Sequence, residues 1–312
     1  VLVRIVVMDF YSQISKNKRM TVVLFIAFFI LVGILASILS LVLDLYFEGG
    51  FVFFFSIFGV LTILFAIISY YSCDSIVTAI SGAKEAPAEQ FKQLHNIVEE
   101  LCLASGLPKP RIFLINDTAI NAFATGRNPA HAIICVTTGC LQFLNRDELQ
   151  GVLAHELSHI KNYDVRTMTI ATVLVGISVL LSDMMLRMFL FSSFKGGGSR
   201  DSKGGGVMIA LIVVAIILAI LTPIIAKMIT LSISRKREFV ADASAAELTR
   251  NPEGLASALE KIAKDIEPLE AANKATAHLY IANPLRGQKL FMASWFDTHP
   301  DINLRIKLLR GM

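Results

Sequence analysis

Two histidines four residues apart, with a glutamate beside the first, can do hydrolytic metal chemistry. His155-Glu156-Leu157-Ser158-His159 has that pattern. On a helix the two imidazoles leave one turn apart and can place two nitrogens on one Zn2+ at about 2.0–2.1 Å. Glu156 is rotated about 100° from His155 and can reach a water held by the metal without being a ligand. One helix would then supply two ligands and a general base for peptide hydrolysis. The plainer reading, a polar residue near a core, suits a single histidine better than a pair flanking a glutamate.

The chain around this stretch predicts the helix that would carry it. Asn145 can cap its start, with Glu148 three residues on at capping-box spacing. Leu149, Leu153, Leu157 and Ile160 recur at helical spacing and would face a core. A catalytic zinc usually takes three protein ligands, so a third must come from elsewhere. Glu238, in Arg235-Lys236-Arg237-Glu238-Phe239-Val240-Ala241-Asp242, is one candidate. From the residues alone it serves equally well as a counter-charge to its basic neighbours. Asp242 is four residues on and shares its face. There it could accept a hydrogen bond from the second nitrogen of a ligand histidine and fix its tautomer.

Composition sets the setting. Of 312 residues, 54% are hydrophobic and 17% charged, against about 25% charged in an average domain. The mean hydropathy is +0.63. The apolar surplus lies in long runs, which predicts membrane spans and a lipid bilayer as partner. The net charge of +4 is small, and no basic stripe suggests nucleic acid. Cys73, Cys102, Cys135 and Cys140 form no C-x-x-C pair, so neither a structural zinc site nor a disulfide framework is expected. The first apolar run is too long for a signal-peptide core and has no cleavage site.

In order, residues 1–19 form a leading segment that carries Lys16, Lys18 and Arg19. Uncharged runs at 20–43 and 51–71 predict a first transmembrane hairpin, closed by Tyr70 and Tyr71. Residues 72–164 read as the first part of a soluble-type domain. They predict a helix over Ala88–Ser105 stopped by Gly106, and short strands over Arg111–Ile115, Ala122–Ala124 and Ala132–Val136. Residues 165–191 and 207–231 predict a second hairpin around a glycine-rich loop at 192–206. Asp183 and Arg187 could pair on one face of its first span. Pro223 would kink the second. Residues 232–312 complete the domain. Four spans put both ends on one side, and the basic flanks make that side cytoplasmic. The fold class expected is mostly α with a small β-sheet, an α+β peptidase domain on four transmembrane helices.

Taken together, the H-E-L-S-H stretch, two apolar runs and then S-R-K-R-E-F-V-A-D resemble the HtpX-like membrane metallopeptidases of the M48 class. Further segments agree. Asn121-Ala122-Phe123-Ala124 is similar to that family's N-A-F-A, and Thr298-His299-Pro300 with Arg305-Ile306 is similar to its T-H-P…R-I. Phe10, Ile14 and Asn17-Lys18-Arg19 resemble its usual start. Phe239 stands where Tyr is more common. The resemblance runs from about Met8 to Arg310. It implies a gluzincin-like domain with one Zn2+ per chain on His155, His159 and Glu238, and Glu156 as base. It also implies His299 and Arg305 at the active site, steadying an oxyanion or the substrate. The strand Asn121, Ala122, Phe123 and Ala124 would be an edge that pairs with an extended substrate. The substrates implied are damaged or misfolded membrane proteins, with self-cleavage included. The setting implied is the cell (inner) membrane, in stress response and protein quality control. Two rivals remain: a prenyl-protein processing peptidase that shares these motifs, and a zinc-bound membrane scaffold without activity.

Overall fold

The computed structural model describes residue 15 and most of residues 19–41, then residues 44, 49–170, 172–173, 235–270, 276–284 and 300–312. The expected spans 165–191 and 207–231, apart from the first few residues of 165–173, lie outside the described residues. So do the glycine-rich loop, the Asp183–Arg187 pair, Pro223, residues 1–7 and His299.

An apolar helix, α1, covers Arg19–Ile34. A longer one, α2, covers Phe51–Ile80. Its 30 residues are about 45 Å long at 1.5 Å per residue. Asp44 caps it, its Oδ1 accepting from Phe51 N–H at 2.9 Å. Among the described residues α2 is the one helix long and apolar enough to cross a membrane, with a mean hydropathy of 2.8 over its best window. It runs nine residues past the expected end at Tyr71, because no breaker appears before Ser81-Gly82. These last turns are not part of an exposed span. Cys73 and Val77 are buried, and Asp74 pairs with Arg111 at 2.9 Å.

A four-stranded mixed sheet follows, in the order β1-β2-β4-β3. Its strands are β1 (Lys84–Glu85), β2 (Arg111–Ile115), β3 (Ala122–Gly126) and β4 (Ala132–Thr137). β2 runs parallel to β4, with Arg111 opposite Ile133; β3 runs antiparallel to β4, with Ala122 opposite Val136. The three longer strands lie where the sequence predicts them; β1 is too short and polar to leave a signal. Helix α3 (Lys92–Ser105) starts four residues later than expected, because Pro87 opens a turn in which its carbonyl accepts from Gln90 and Phe91. Gly106 ends it at φ +70°, as a C-cap glycine should.

The remaining helices are α4 (Thr138–Phe143), α5 (Arg146–Lys161), α6 (Arg235–Thr249), α7 (Pro252–Lys264) and α8 (Ile302–Leu309). The strands' period of two divides the sheet between two cores. Ala122, Ala124, Ile134 and Val136 face α3, α5 and α7. Phe123, Ile133 and Cys135 face the other way, toward α1, the end of α2 and residues 168–173. With both faces covered, β4 reads as an unbroken apolar run rather than an alternating one.

α5 is packed on every side, more than its predicted stripe requires: each residue from Gly151 to Ile160 is buried. Asn145 and Glu148 form the capping box. Glu148 also accepts from Ser257 and Lys261 of α7, each at 2.7 Å. The two helices cross at paired glycines. A Cβ on Gly151 would stand 2.7 Å from the Leu255 nitrogen, and one on Gly254 would stand 2.7 Å from the Asp147 carbonyl oxygen.

Candidate metal and active site

α5 and α6 bring the proposed donors together. His155 and His159 face each other one turn apart, with 3.1 Å between their Nε2 atoms. Glu238, in the first turn of α6, completes the triangle. Its Oε2 is 3.8 Å from His155 Nε2, and its Oε1 is 3.5 Å from His159 Nε2. All three are buried and offer one atom each to a common point. These spacings fit one ion: metal–ligand bonds of about 2.0–2.1 Å at tetrahedral angles put donors about 3.3 Å apart.

The outer nitrogens of the two rings are occupied. His155 Nδ1 is 2.9 Å from Asp242 Oδ1, the neighbour expected for a ligand histidine. His159 Nδ1 is 3.1 Å from Asp164 Oδ2. With each Nδ1–H donating to a carboxylate, each Nε2 turns its lone pair inward. Two lone pairs and a carboxylate facing one point need positive charge between them, so the donor set fits a divalent cation.

Burial holds His155 below its ordinary pKa, against the opposing pull of Asp242. Burial alone would lower His159 too, but the bond to Asp164 and the charges of Glu238 and Glu156 push it up to about 9. Glu156 is pushed up to about 7 by burial, a rise that His159 opposes and Glu238 reinforces. Its carboxylate meets the backbone N–H of Ala124 on β3.

Arg305 of α8 is buried among these acids. It grips Asp242 with two nitrogens, Nε to Oδ2 at 2.8 Å and Nη2 to Oδ1 at 2.7 Å. Its Nη1 is 3.4 Å from Glu238 Oε2 and donates to the Ile281 carbonyl at 3.0 Å. The guanidinium is thus engaged by Asp242, Glu238 and the Ile281 carbonyl, with Nη2 3.5 Å from both ring nitrogens of His155.

β3 is the outer strand of its sheet, but part of its outer edge is covered. Ile281 N–H donates to the Ala122 carbonyl at 2.9 Å, and Asn121 Nδ2 donates to the Ala282 carbonyl at 3.1 Å. Asn121 Oδ1 accepts from Ala122 N–H at 3.1 Å, and Thr169 Oγ1 accepts from Gly126 N–H at 3.1 Å. Between these contacts lies Ala124, beside Glu156.

Two residues at the site are absent from the sequence reading. Asp164 contacts His159, and Arg237 Nη1 holds Asp164 Oδ1 at 3.1 Å. Each reads in sequence as a charged flank of an apolar run. The available signal was the expected second hairpin, whose two flanks would meet.

Residues 88–312 match peptidase family M48. The chain belongs to peptidase family M48. It is 44% identical over 305 residues to a protease HtpX homolog of Dictyoglomus turgidum, across 97% of this chain and 95% of the relative. It is 40% identical over 310 residues to the protease HtpX homolog of Ligilactobacillus salivarius, across 97% and 99%. The crystal structure of S. mikatae Ste24p is similar with a TM-score of 0.46 and 20% identity, covering 87% of this chain and 61% of that one. As an M48 member of the HtpX type, the chain is a metallopeptidase that carries a helix long and apolar enough to cross a membrane.

Proposed function

We propose that this M48 metallopeptidase is a zinc-dependent endopeptidase of the cell membrane that cleaves damaged or misfolded membrane proteins. The observation that carries it is the inward convergence of His155 Nε2, His159 Nε2 and the Glu238 carboxylate, whose Oε2 is 3.8 Å from His155 Nε2 and whose Oε1 is 3.5 Å from His159 Nε2, beside a buried Glu156. His155, His159 and Glu238 hold the metal. A zinc ion held there would supply Lewis acidity toward the scissile carbonyl and a lower pKa for the attacking water.

Glu156 takes the proton from the attacking water and returns it to the leaving amine. Its raised pKa suits a group that must both accept and release a proton near pH 7. Asp242 and Arg305 act from behind, keeping His155 and Glu238 oriented. Arg305 is so fully engaged that we give it this positioning role rather than direct contact with substrate. The family resemblance gives donation to the developing oxyanion to His299. The substrate backbone would lie along β3 at Ala124, whose N–H meets Glu156 and which sits between the covered Ala122 and Gly126. Around this site the chain is proposed to make four spans, 20–43, 51–71, 165–191 and 207–231, with the site on the cytoplasmic side.

The test compares purified wild type, prepared under chelation and reloaded with Zn2+, with Glu156→Gln on an unfolded protein substrate. The wild type cleaves internal bonds. The variant keeps the metal and loses about 10²–10⁴-fold in rate. A Glu156→Gln variant as active as wild type would remove the mechanism. Cleavage confined to prenylated C-terminal peptides would instead favour the prenyl-processing reading.

A further inference from the structure

We propose that Asp164 and Arg237 form a positioning arm for His159, the counterpart of the Asp242–Arg305 arm on His155. The inference rests on reading His155, His159 and Glu238 as metal ligands.

The two arms have the same construction. In each, one carboxylate oxygen meets the Nδ1 of a histidine, at 3.1 Å for His159 and 2.9 Å for His155. In each, the carboxylate is also held by a buried arginine, Arg237 at 3.1 Å and Arg305 at 2.7 Å. A carboxylate on Nδ1 fixes the tautomer and the ring plane, and makes the opposite nitrogen a better donor. Without Asp164, the His159 ring would lose the contact that turns Nε2 toward Glu238.

The local structure around Asp164 is hard to explain as a device for stability. α5 ends at Lys161 and Asn162, and the chain then turns through Tyr163 at φ +60°. That is an uncommon and unfavourable conformation for a bulky side chain. It brings Asp164 back beneath His159, five residues after it. The Asp164–Arg237 pair is buried, and Arg237 Nη2 is buried with no hydrogen-bond partner among the described residues. A buried ion pair with a donor left over contributes little to stability, and an apolar pair would pack without that penalty. The strained turn, the buried charges and the unmatched donor converge on one contact, the Nδ1 of His159.

The arm also joins separate parts of the chain. Arg237 immediately precedes Glu238, so adjacent residues of α6 supply a metal ligand and the clamp on another ligand. Asp164 lies at the start of the predicted third span and Arg237 just beyond the predicted fourth. The contact between them therefore fixes α5 to α6 at the site itself.

The experiment uses the full chain in detergent and measures Zn2+ affinity by competition with a chelator. It also records melting of the metal-free protein and visible absorption of the Co2+-loaded protein. Asp164→Ala and Arg237→Gln are expected to weaken Zn2+ binding by about 10–100-fold. Asp164→Asn, which still offers an oxygen to Nδ1–H, loses less, and its Co2+ spectrum lies closer to wild type than that of Asp164→Ala. If Asp164→Asn and Arg237→Gln melt cooperatively yet bind Zn2+ as wild type does and leave the Co2+ spectrum unchanged, the arm is structural and the inference falls. If instead the wild type binds Zn2+ no more tightly than Glu238→Gln, the ligand assignment fails, and the arm with it.

Discussion

His159 meets opposite demands in the metal-free and metal-loaded protein. Without metal, the surrounding carboxylates push its pKa up to about 9, above the roughly 6.5 of an exposed imidazole. A group raised in this way lends stability that is complete below about pH 6.5 and is lost as pH climbs through about 9. Glu156, raised from 4.5 to about 7, acts in the same direction in a lower window. Its contribution is complete below about 4.5 and gone above about 7. A metal must displace the proton on His159, so Zn2+ affinity should rise over the range in which metal-free stability falls. Calorimetry of the metal-free protein from pH 6.5 to 9 should show a declining melting temperature, while chelator competition shows tightening Zn2+. A flat melting temperature would mean that His159 is not charged in the empty site. At this scale the sequence reached Asp242, because it lies one turn from Glu238 on a recognisable helix. It missed Asp164, because that contact depends on the left-handed turn at Tyr163, and nothing in the sequence Asn162-Tyr163-Asp164 announces such a turn.

Helix α5 must hold His155, Glu156 and His159 to within fractions of an ångström, and its position depends on how closely α7 approaches. Gly151 and Gly254 permit that approach, each facing the other helix's backbone at a distance no Cβ tolerates. Gly151→Ala is therefore expected to cost about 1–3 kcal/mol by overpacking, read from denaturant unfolding. It should also loosen Zn2+, since the strain pushes α5 away from α6. An alanine accommodated without loss would show that the crossing has slack. The cap at Asn145 and the identity of α5 were plain in the sequence. The crossing was not, because a glycine in a helix pattern reads as a weak point until its partner backbone is known.

The described residues form layers, with the mixed sheet between the site helices on one face and α1, the end of α2 and Met168, Ile170 and Val173 on the other. Thr21 and Thr167 meet across the second layer at 3.3 Å, and Thr125 and Thr169 at 2.9 Å. These side chains tie the apolar helices to the strand that flanks Glu156. The first two thirds of α2 leave Phe53, Val60, Leu64 and Ile68 exposed, which suits lipid rather than water. The proposed four-span arrangement would put the glycine-rich loop outside the cell, so Ser199→Cys is then expected to react with an impermeant thiol reagent in intact cells. The native cysteines are buried and add little background. Labelling only after lysis would overturn that arrangement.

The sequence by itself determined the chemistry and the local elements. Spacing along one helix set the His155–Glu156–His159 geometry, and short-range caps and breakers marked α5, the end of α3 and the three longer strands. These follow from interactions over a few residues, which composition and period record. Only the tertiary structure decided which acids face which histidine nitrogen and that Arg305 is engaged behind the site. It alone showed that Tyr280–Ala282 covers part of the β3 edge, and that Asp164 meets Arg237 across 73 positions of sequence. Such contacts are fixed by how helices and sheet pack, and a charge beside an apolar run looks the same in sequence whether it faces solvent or a metal site.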